Sequence, residues 1–100
     1  MYEYEAIVTR IIDGDTIEAE VDLGFHTKMD LKFRLARINA PELKSGGDIT
    51  RAYLINKILS KNVIIKSYKT DKYGRWLAEI YLDGENINDT LVKEGLASNY

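Results

Sequence analysis

The chain has 100 residues, of which 45% are hydrophobic, with a formal net charge of −2, one histidine and no cysteine. This size and composition fit one globular domain spanning residues 1–100, and the missing thiols exclude disulfide bonds and thiolate metal sites. The single histidine, His26, argues against a histidine-based zinc site or a Ser-His-Asp triad, and we expect it in a solvated turn. Strong nucleic-acid binders are usually basic, so the net charge is atypical of that class.

The charges are unevenly distributed along the chain. Acidic residues crowd positions 3–22, whereas arginines and lysines become frequent from residue 28 onward, so the folded chain could present one basic side. No run of residues has the length of a membrane span, and residues 1–4 do not resemble a signal peptide. We therefore expect no membrane association, a monomer and, if the chain is complete, a cytoplasmic location.

The first third of the chain predicts three sequential strands. Residues 2–12 form the first strand, and Asp13-Gly14 is typical of a hairpin turn. Residues 17–23 alternate apolar and polar side chains, and residues 28–35 do the same after a turn at 24–27. The third strand must end by Pro41, which has no N–H to donate to a neighbouring strand. We expect these strands to form a meander.

The rest of the chain predicts a helix, two strands and a second helix. Asp48 is the predicted cap of the first helix, which ends at Lys61 or Asn62. Residues 63–68 and 75–82 are the fourth and fifth strands, around a polar turn. The apolar face of the first helix is expected to comprise Ala52, Ile55, Ile58 and Leu59. Asn88 is predicted to cap the last helix, with Gly95 near its end.

This order of elements predicts a β-barrel with helices, in the α+β class. A five-stranded barrel with a helix between strands three and four, followed here by a short C-terminal helix, is the OB-fold. Strand alternation places Trp76 on the wholly apolar face of the fifth strand, together with Ala78, Ile80 and Leu82. We therefore expect Trp76 in the core, and Arg75 on the opposite face.

Three stretches carry candidate chemistry. Asp13-Gly14-Asp15-Thr16 puts two carboxylates and a hydroxyl around one turn, and hard cations such as Ca²⁺ take oxygen ligands of this kind. Residues 34–42 bring a guanidinium, an amide, a backbone carbonyl and a carboxylate to the point where a strand breaks. Residues 71–75 contain three side chains suited to phosphate contacts. Each stretch taken alone is also compatible with an ordinary polar turn.

The chain resembles the staphylococcal nuclease (thermonuclease) family in four stretches that occur in series. They are Ile12-Asp13-Gly14-Asp15-Thr16-Ile17, then Arg34-Leu35 with Ala40-Pro41-Glu42, then Asp71-Lys72-Tyr73-Gly74-Arg75, then Asn86-Ile87-Asn88 with Leu91-Val92 and Gly95-Leu96-Ala97. Each stretch is common alone, but the series is specific and covers nearly the whole chain. The resemblance implies an OB barrel and Ca²⁺-dependent hydrolysis of phosphodiester bonds in DNA and RNA, with 3′-phosphate products.

The resemblance also implies a metal site. Asp15 and the Ala40 carbonyl are implied as direct Ca²⁺ ligands, while Asp13 and Thr16 would support the ion through water. Asn39 stands where the family has a second ligating Asp; its amide oxygen can ligate Ca²⁺ but brings no charge.

For catalysis, the resemblance implies that Glu42 is the general base on the attacking water. Arg34 and Arg75 would hold the phosphate and stabilise the charge of the transition state. Lys72 and Tyr73 would contact a phosphate, and Tyr100 lies within about one residue of an aromatic that packs on the substrate base.

Two other functions stay open. Asn39 and the acidic balance favour a nucleic-acid-binding module of the same fold without catalytic activity, as in the degenerate copies of Tudor-SN-like proteins. A protein-interaction domain is permitted by the barrel, although nothing specific in the sequence supports it.

Overall fold

The structure is a computed structural model that describes residues 2–100, with the side chain of Tyr68 left aside. Met1, part of the N-terminal segment judged not to be a signal peptide, lies outside the described residues. The strands are β1 (Tyr2–Asp13), β2 (Thr16–Gly24), β3 (Thr27–Leu35), β4 (Ile38–Asn39), β5 (Asn62–Thr70), β6 (Trp76–Leu82), β7 (Glu85–Asn86) and β8 (Ser98–Asn99). The helices are α1 (Gly47–Ile58) and α2 (Ile87–Lys93), and a 3-10 turn covers Leu43–Ser45.

Five of these strands close into a barrel. β1 pairs antiparallel with β2 and β5, β2 with β3, and β5 with β6. β3 and β6 complete the circle in parallel over Phe33–Leu35. With α1 between the third and fourth barrel strands and α2 after the fifth, the predicted OB barrel is confirmed. Within residues 2–100, neither helix is long and apolar enough to cross a membrane.

The first helix buries a different stripe from the predicted one. Thr50, Leu54 and Ile58 are its buried side chains, whereas Ala52 is exposed. The prediction was correct for Ile58 and wrong for Ala52, and it missed Thr50 and Leu54, because the buried side chains are spaced by four residues and include a polar side chain. Thr50 tolerates burial because its hydroxyl donates a 2.6 Å hydrogen bond to the Leu96 carbonyl. Of the other predicted residues, Ile55 and Leu59 pack half-buried against the core.

The second helix is capped by Asn86 and not by the predicted Asn88. The Asn86 side chain accepts a 3.0 Å hydrogen bond from the backbone N–H of Asp89. The pairing of β7 with β6 ends at Asn86, so the helix begins one residue later.

Asn88 has a structural role in the interior instead. It is fully buried, and its Nδ2 donates to the carbonyls of Ala36 at 2.9 Å and Ala78 at 3.0 Å. Its Oδ1 accepts from the Ile80 N–H at 3.1 Å. The side chain therefore fixes α2 to β6 and to the chain leaving β3.

Trp76 is not in the core, although its predicted side of the strand is correct. Ala78 and Ile80, on the same face of β6, are fully buried, but Trp76 is 42% exposed. It is the first residue of β6, paired with Thr70 and Phe33 at the end of the barrel. Alternation along a strand gives the side of the sheet, but it does not give the depth within the barrel.

Candidate active site

The turn between β1 and β2 is built from Asp13-Gly14-Asp15-Thr16. The Asp15 N–H donates to Asp13 Oδ1 at 3.0 Å, which fixes the turn locally. Gly14 is buried, and a Cβ there would stand 2.7 Å from Ala40 Cβ and 2.9 Å from Thr50 Cγ2. The glycine therefore allows the turn to pack directly against Ala40, in the chain that follows β4.

Arg34 joins β3 to this turn. Its Nη2 lies 3.4 Å from Asp15 Oδ2 and donates to Asn39 Oδ1 at 3.3 Å, while Nη1 donates to the Leu35 carbonyl at 2.7 Å. Asp15 Oδ2 also accepts from the Ala40 N–H at 3.0 Å. The side chains of Arg34 and Asp15 are only 13% and 15% exposed, so their charges are weakly screened by solvent.

The surroundings of Asp15 disfavour the ionised form of its carboxyl group. Burial raises the pKa of Asp15, and the neighbouring Asp13 carboxyl raises it further, whereas the Ala40 N–H and Arg34 act in the opposite direction. The net effect is a pKa above the ordinary value. A cation bound beside Asp15 would favour its ionised form, because an opposite charge offsets desolvation.

Arg75 follows the turn between β5 and β6, and Asp71 orients it. Asp71 Oδ2 accepts from Arg75 Nε at 2.8 Å and lies 2.7 Å from Nη2, while Oδ1 accepts from the backbone N–H groups of Tyr73 and Arg75. Arg75 Nη1 donates to Thr16 Oγ1 at 3.3 Å, which links this turn to the one after β1. Desolvation opposes ionisation of Asp71, but the N–H groups of Arg75 and Tyr73, followed by the guanidinium, lower its pKa.

Arg34 and Arg75 line the same cleft, of about 500 Å³, on the outer side of β3 and β6. The ring of Tyr73 lies beside the cations of the loop, 5.2 Å from Lys72 Nζ and 5.3 Å from Arg75 Cζ. The lining residues are Arg34, Leu35, Arg37, Ile38, Asn39, Asp71, Lys72, Tyr73, Arg75, Leu77 and Tyr100. Four of them, Arg34, Arg37, Lys72 and Arg75, are cationic, so the cleft is suited to an anion despite the acidic net charge of the chain.

Tyr100 reaches the cleft through the C-terminal segment. β8 pairs with β4, Ser98 Oγ donates to the Asn39 carbonyl at 3.2 Å, and the Tyr100 N–H donates to the Arg37 carbonyl at 3.0 Å. The Tyr100 side chain is 90% exposed at the cleft, and Tyr73 is 71% exposed. Both rings therefore present accessible faces.

Of the three predicted catalytic residues, Arg34 and Arg75 line the cleft and Glu42 does not. The predicted cation ligands Asp13, Asp15, Thr16 and Ala40 also lie outside the cleft lining, whereas Asn39 is part of it. Glu42 is exposed immediately after Pro41, and its backbone carbonyl accepts from the N–H groups of Ser45 and Gly47 at 2.8 and 2.9 Å. A Cβ on Gly47 would stand 2.2 Å from the Pro41 carbonyl oxygen. The glycine is therefore required for the tight loop that carries Glu42.

Arg37 is a cleft residue to which sequence reasoning assigned no role. Its Nε donates to Glu79 Oε2 at 3.0 Å and its Nη2 donates to Asp89 Oδ1 at 2.8 Å. Glu79 first, and then Asp89, raise the pKa of Arg37 above its usual value. Its partners lie 42 and 52 residues away, so no local pattern could have indicated this role.

The donor set of the turn fits a hard cation. Asp15 is a partly buried carboxylate with a raised pKa. Asp13 Oδ1 accepts from the Asp15 N–H, Thr16 Oγ1 lies 3.4 Å from Asp15 Oδ1, and Asn39 Oδ1 accepts from the same Arg34 nitrogen that pairs with Asp15, so further oxygens lie close to this carboxylate. The Ala40 backbone is held against Asp15 by its N–H. No group of three or more His, Cys, Asp or Glu side chains is placed to hold a metal within the described part of the chain. A cation here would therefore depend on backbone, hydroxyl and amide oxygens as well as Asp15.

The chain is similar in sequence to a family of known proteins and to several individual relatives. The family model described as "Staphylococcal nuclease homologue" matches residues 32–100. The chain is 33% identical over 108 residues to "Protein ParB" of Escherichia coli, covering 98% of this chain and 58% of that protein. It is 34% identical over 95 residues to an "Uncharacterized endonuclease" of Escherichia coli O157:H7, covering 93% and 59% respectively.

A relative from a second organism shows similar identity. "Endonuclease YncB" of Bacillus subtilis (strain 168) is 35% identical over 98 residues, covering 88% of this chain and 44% of that protein. The chain therefore spans about three-fifths or less of these curated relatives.

Proposed function

The chain belongs to the staphylococcal nuclease family, and from that premise we propose that it is a Ca²⁺-dependent phosphodiester hydrolase acting on DNA and RNA. The observation that carries this proposal is the cleft shared by Arg34 and Arg75. The two guanidinium groups come from strands that are distant in sequence, and each is oriented by a carboxylate, Asp15 or Asp71. Two oriented arginines in one cleft are suited to a phosphodiester, whose charge increases during hydrolysis.

The arginines would act on the phosphate. Guanidinium groups can each donate two parallel hydrogen bonds to phosphoryl oxygens, which a lysine cannot do. Lys72 would contact the same or a neighbouring phosphate as a point charge, and Tyr73 and Tyr100 present exposed ring faces for bases. Glu42, which is exposed on the loop after Pro41, would accept the proton of the attacking water.

Asp15, the Ala40 carbonyl and the Asn39 amide oxygen would hold the Ca²⁺, with Asp13 and Thr16 supporting them. When bound, the ion would supply positive charge to the phosphoryl oxygens. Arg34 already contacts both Asp15 and Asn39, so the phosphate-binding group and the cation ligands are held by one hydrogen-bonded unit. By family resemblance, attack at phosphorus leaves a 3′-phosphate.

The test is cleavage of an unstructured fluorescent oligonucleotide, as DNA and as RNA, in Ca²⁺ and in excess chelator. We expect cleavage in Ca²⁺ only, with 3′-phosphate ends. Arg34→Ala and Arg75→Ala should each lower kcat by a factor on the order of 10² or more, as for loss of one charge-stabilising donor. Arg→Lys at either position should rescue poorly, because the planar fork is lost.

Arg10→Ala is the matched control, since Arg10 is exposed on β1 and is not among the residues that line the cleft. It should cleave like the unmodified protein. Equal activity of Arg10→Ala and Arg75→Ala, or cleavage that persists in chelator, would contradict the proposal.

A second candidate function is a nucleic-acid-binding module without catalysis. Asn39 favours it, because its amide oxygen is occupied by Arg34 and contributes no charge to a cation. A salt-dependent oligonucleotide titration without cleavage in any divalent cation would support this alternative.

A further inference from the structure

The edge of β3 is open over two-thirds of its length. β3 pairs with β2 along the whole strand, but it pairs with β6 only over Phe33–Leu35. Within residues 2–100, segment 27–32 therefore has a strand neighbour on one side only. An open edge of this length is a template for pairing with another strand.

The direction of the free backbone groups follows from two hydrogen bonds. The Leu35 N–H donates to the Asp15 carbonyl on the β2 side, and the Ala36 N–H donates to the Ala78 carbonyl on the β6 side. Backbone groups alternate in direction along a strand, so odd-numbered residues of β3 face β2 and even-numbered residues face outward. Lys28, Asp30 and Lys32 thus present free N–H and C=O groups at the open edge.

The hairpin segment from Asp22 to Asp30, called the arm below, exposes apolar side chains. Every residue from Asp22 to Asp30 is exposed, Phe25 at the hairpin tip fully so and Met29 to 50%. Trp76, 42% exposed, lies where the open edge ends, beside Phe33. Exposed aromatic and apolar groups around an open edge indicate a surface that another protein strand covers.

We propose that the open edge of β3 pairs antiparallel with the same edge of a second copy of this chain, centred on Met29. In this register Lys28 of one copy lies opposite Asp30 of the other, and the reverse pair forms by symmetry. Both are outward-facing residues, as hydrogen-bonded pairs of an antiparallel ladder must be. Met29 then faces Met29 across the two-fold axis.

The neighbouring registers are less favourable. Centring the pairing on Asp30 would place Asp30 opposite Asp30 and Lys28 opposite Lys32, so like charges would face each other. Centring it on Leu31 would pair Asp30 with Lys32, but the next pair would be Lys28 with Arg34, which carry like charges, and Arg34 already pairs with β6. The register centred on Met29 pairs Lys28 with Asp30 within the open segment and places no like charges opposite each other.

This register also brings the hairpin tip of each copy, with Phe25, to the beginning of β6 in the other, where Trp76 lies. The contact would cover the apolar side chains that the single chain exposes. From the sequence we expect a monomer. We infer a dimer instead because the edge of β3 is open and its charges are complementary to those of a second copy. The inference does not depend on the nuclease proposal.

The test is the oligomeric state by sedimentation velocity across a concentration series, with Trp76 fluorescence measured in parallel. Trp76 is the single tryptophan of the chain, so its emission reports this contact directly. We expect a reversible dimer, and a shift of the emission to shorter wavelength as the dimer forms. Lys28→Asp or Asp30→Lys alone should weaken the dimer about tenfold, because each puts like charges opposite each other twice.

The exchanged variant Lys28→Asp with Asp30→Lys should restore the dimer, since the opposite charges are swapped and retained. This rescue excludes simple misfolding as the cause of the single-variant effect. Lys61→Asp, an exposed charge reversal away from the arm, is the control and should dimerise normally. A monomer at all concentrations, a dimer unaffected by the single reversals, or failure of the exchange to rescue would overturn the proposal.

Discussion

Asp71 holds Arg75 by the side chain and by the backbone at once. Its Oδ2 accepts from Arg75 Nε at 2.8 Å, and its Oδ1 accepts from the Arg75 backbone N–H at 3.0 Å. The same carboxylate also accepts from the Tyr73 N–H at 2.9 Å, so one residue shapes the loop and aims the guanidinium. Asp71 is therefore a positioning residue for Arg75, the arginine that we propose contacts the phosphate.

Asp71→Asn should lower kcat by about tenfold to 10²-fold, because the amide keeps the size of the carboxylate but loses the charge and one acceptor oxygen. We expect the melting temperature to change less than kcat, because residues 71–75 contribute no side chain to the hydrophobic core. Steady-state cleavage kinetics and thermal unfolding together check this. The control is Asp83→Asn, an exposed aspartate in another turn; a similar loss of kcat there would argue against positioning by Asp71.

Asn39→Asp should tighten Ca²⁺ binding about tenfold, or ~1.4 kcal/mol. A carboxylate would add attraction for the ion, while Arg34, whose Nη2 lies 3.3 Å from the Asn39 amide oxygen, would compete for the new charge. Calcium titration in the presence of a nucleoside diphosphate measures the affinity, and cleavage at low calcium should rise in parallel.

The alternative to this prediction is a site that binds no metal. Undetectable calcium binding and no cleavage in both the Asn39→Asp variant and the unmodified protein would support the binding module without catalysis. Asn99→Asp is a suitable control, because it adds the same charge at an exposed position of β8.

Asn88→Ala should destabilise the protein by about 2–3 kcal/mol, because it leaves buried backbone groups of Ala36 and Ile80 without their side-chain partner. Chemical denaturation measures the loss. Asn86→Ala removes the helix cap and the 2.8 Å hydrogen bond from Asn86 Nδ2 to Glu79 Oε1, both outside the core, and should cost about 1 kcal/mol. If the Asn86 variant lost as much as the Asn88 variant, the interior role assigned to Asn88 would be wrong.

Glu79 should make the fold sensitive to acid. The hydrogen bond from Arg37 lowers the pKa of Glu79 below its ordinary 4.5, burial opposes this, and Asn86 adds to it. A group with a depressed pKa in the folded state contributes stability above the unfolded pKa and loses it as the pH falls through the folded value. The stabilisation is thus present at pH 7 and is lost at a pH below about 4.5.

Glu79→Gln should accordingly be less stable than the unmodified protein at neutral pH, and the difference should shrink as the pH falls below 4.5. Denaturant unfolding at several pH values checks this convergence. The exposed Glu5→Gln serves as the control. A difference that stays constant across the pH range would show that the Arg37–Glu79 pair does not govern acid stability.

The order of the strands and helices and most candidate site residues could be predicted from local sequence patterns. Alternating side chains at 17–23 and 28–35 indicated strands, and Asp13-Gly14 and 24–27 indicated turns, because periodicity and turn preferences act over a few residues. The structure confirms the barrel. His26 lies in the exposed turn that was predicted for it.

Only the tertiary structure determined how deeply each side chain is buried and which residues far apart in the chain are hydrogen-bonded to each other. Trp76 and Ala78 share one face of β6, yet only closure of the barrel determines that Ala78 is buried and Trp76 is half-exposed. The burial of Asn88 depends on the Ala36 carbonyl, 52 residues earlier in the chain. The open edge at 27–32 exists because β6 joins β3 only from Phe33 onward. These features arise from strand register and closure, and hydrogen bonds between distant residues leave no periodic signal in the sequence.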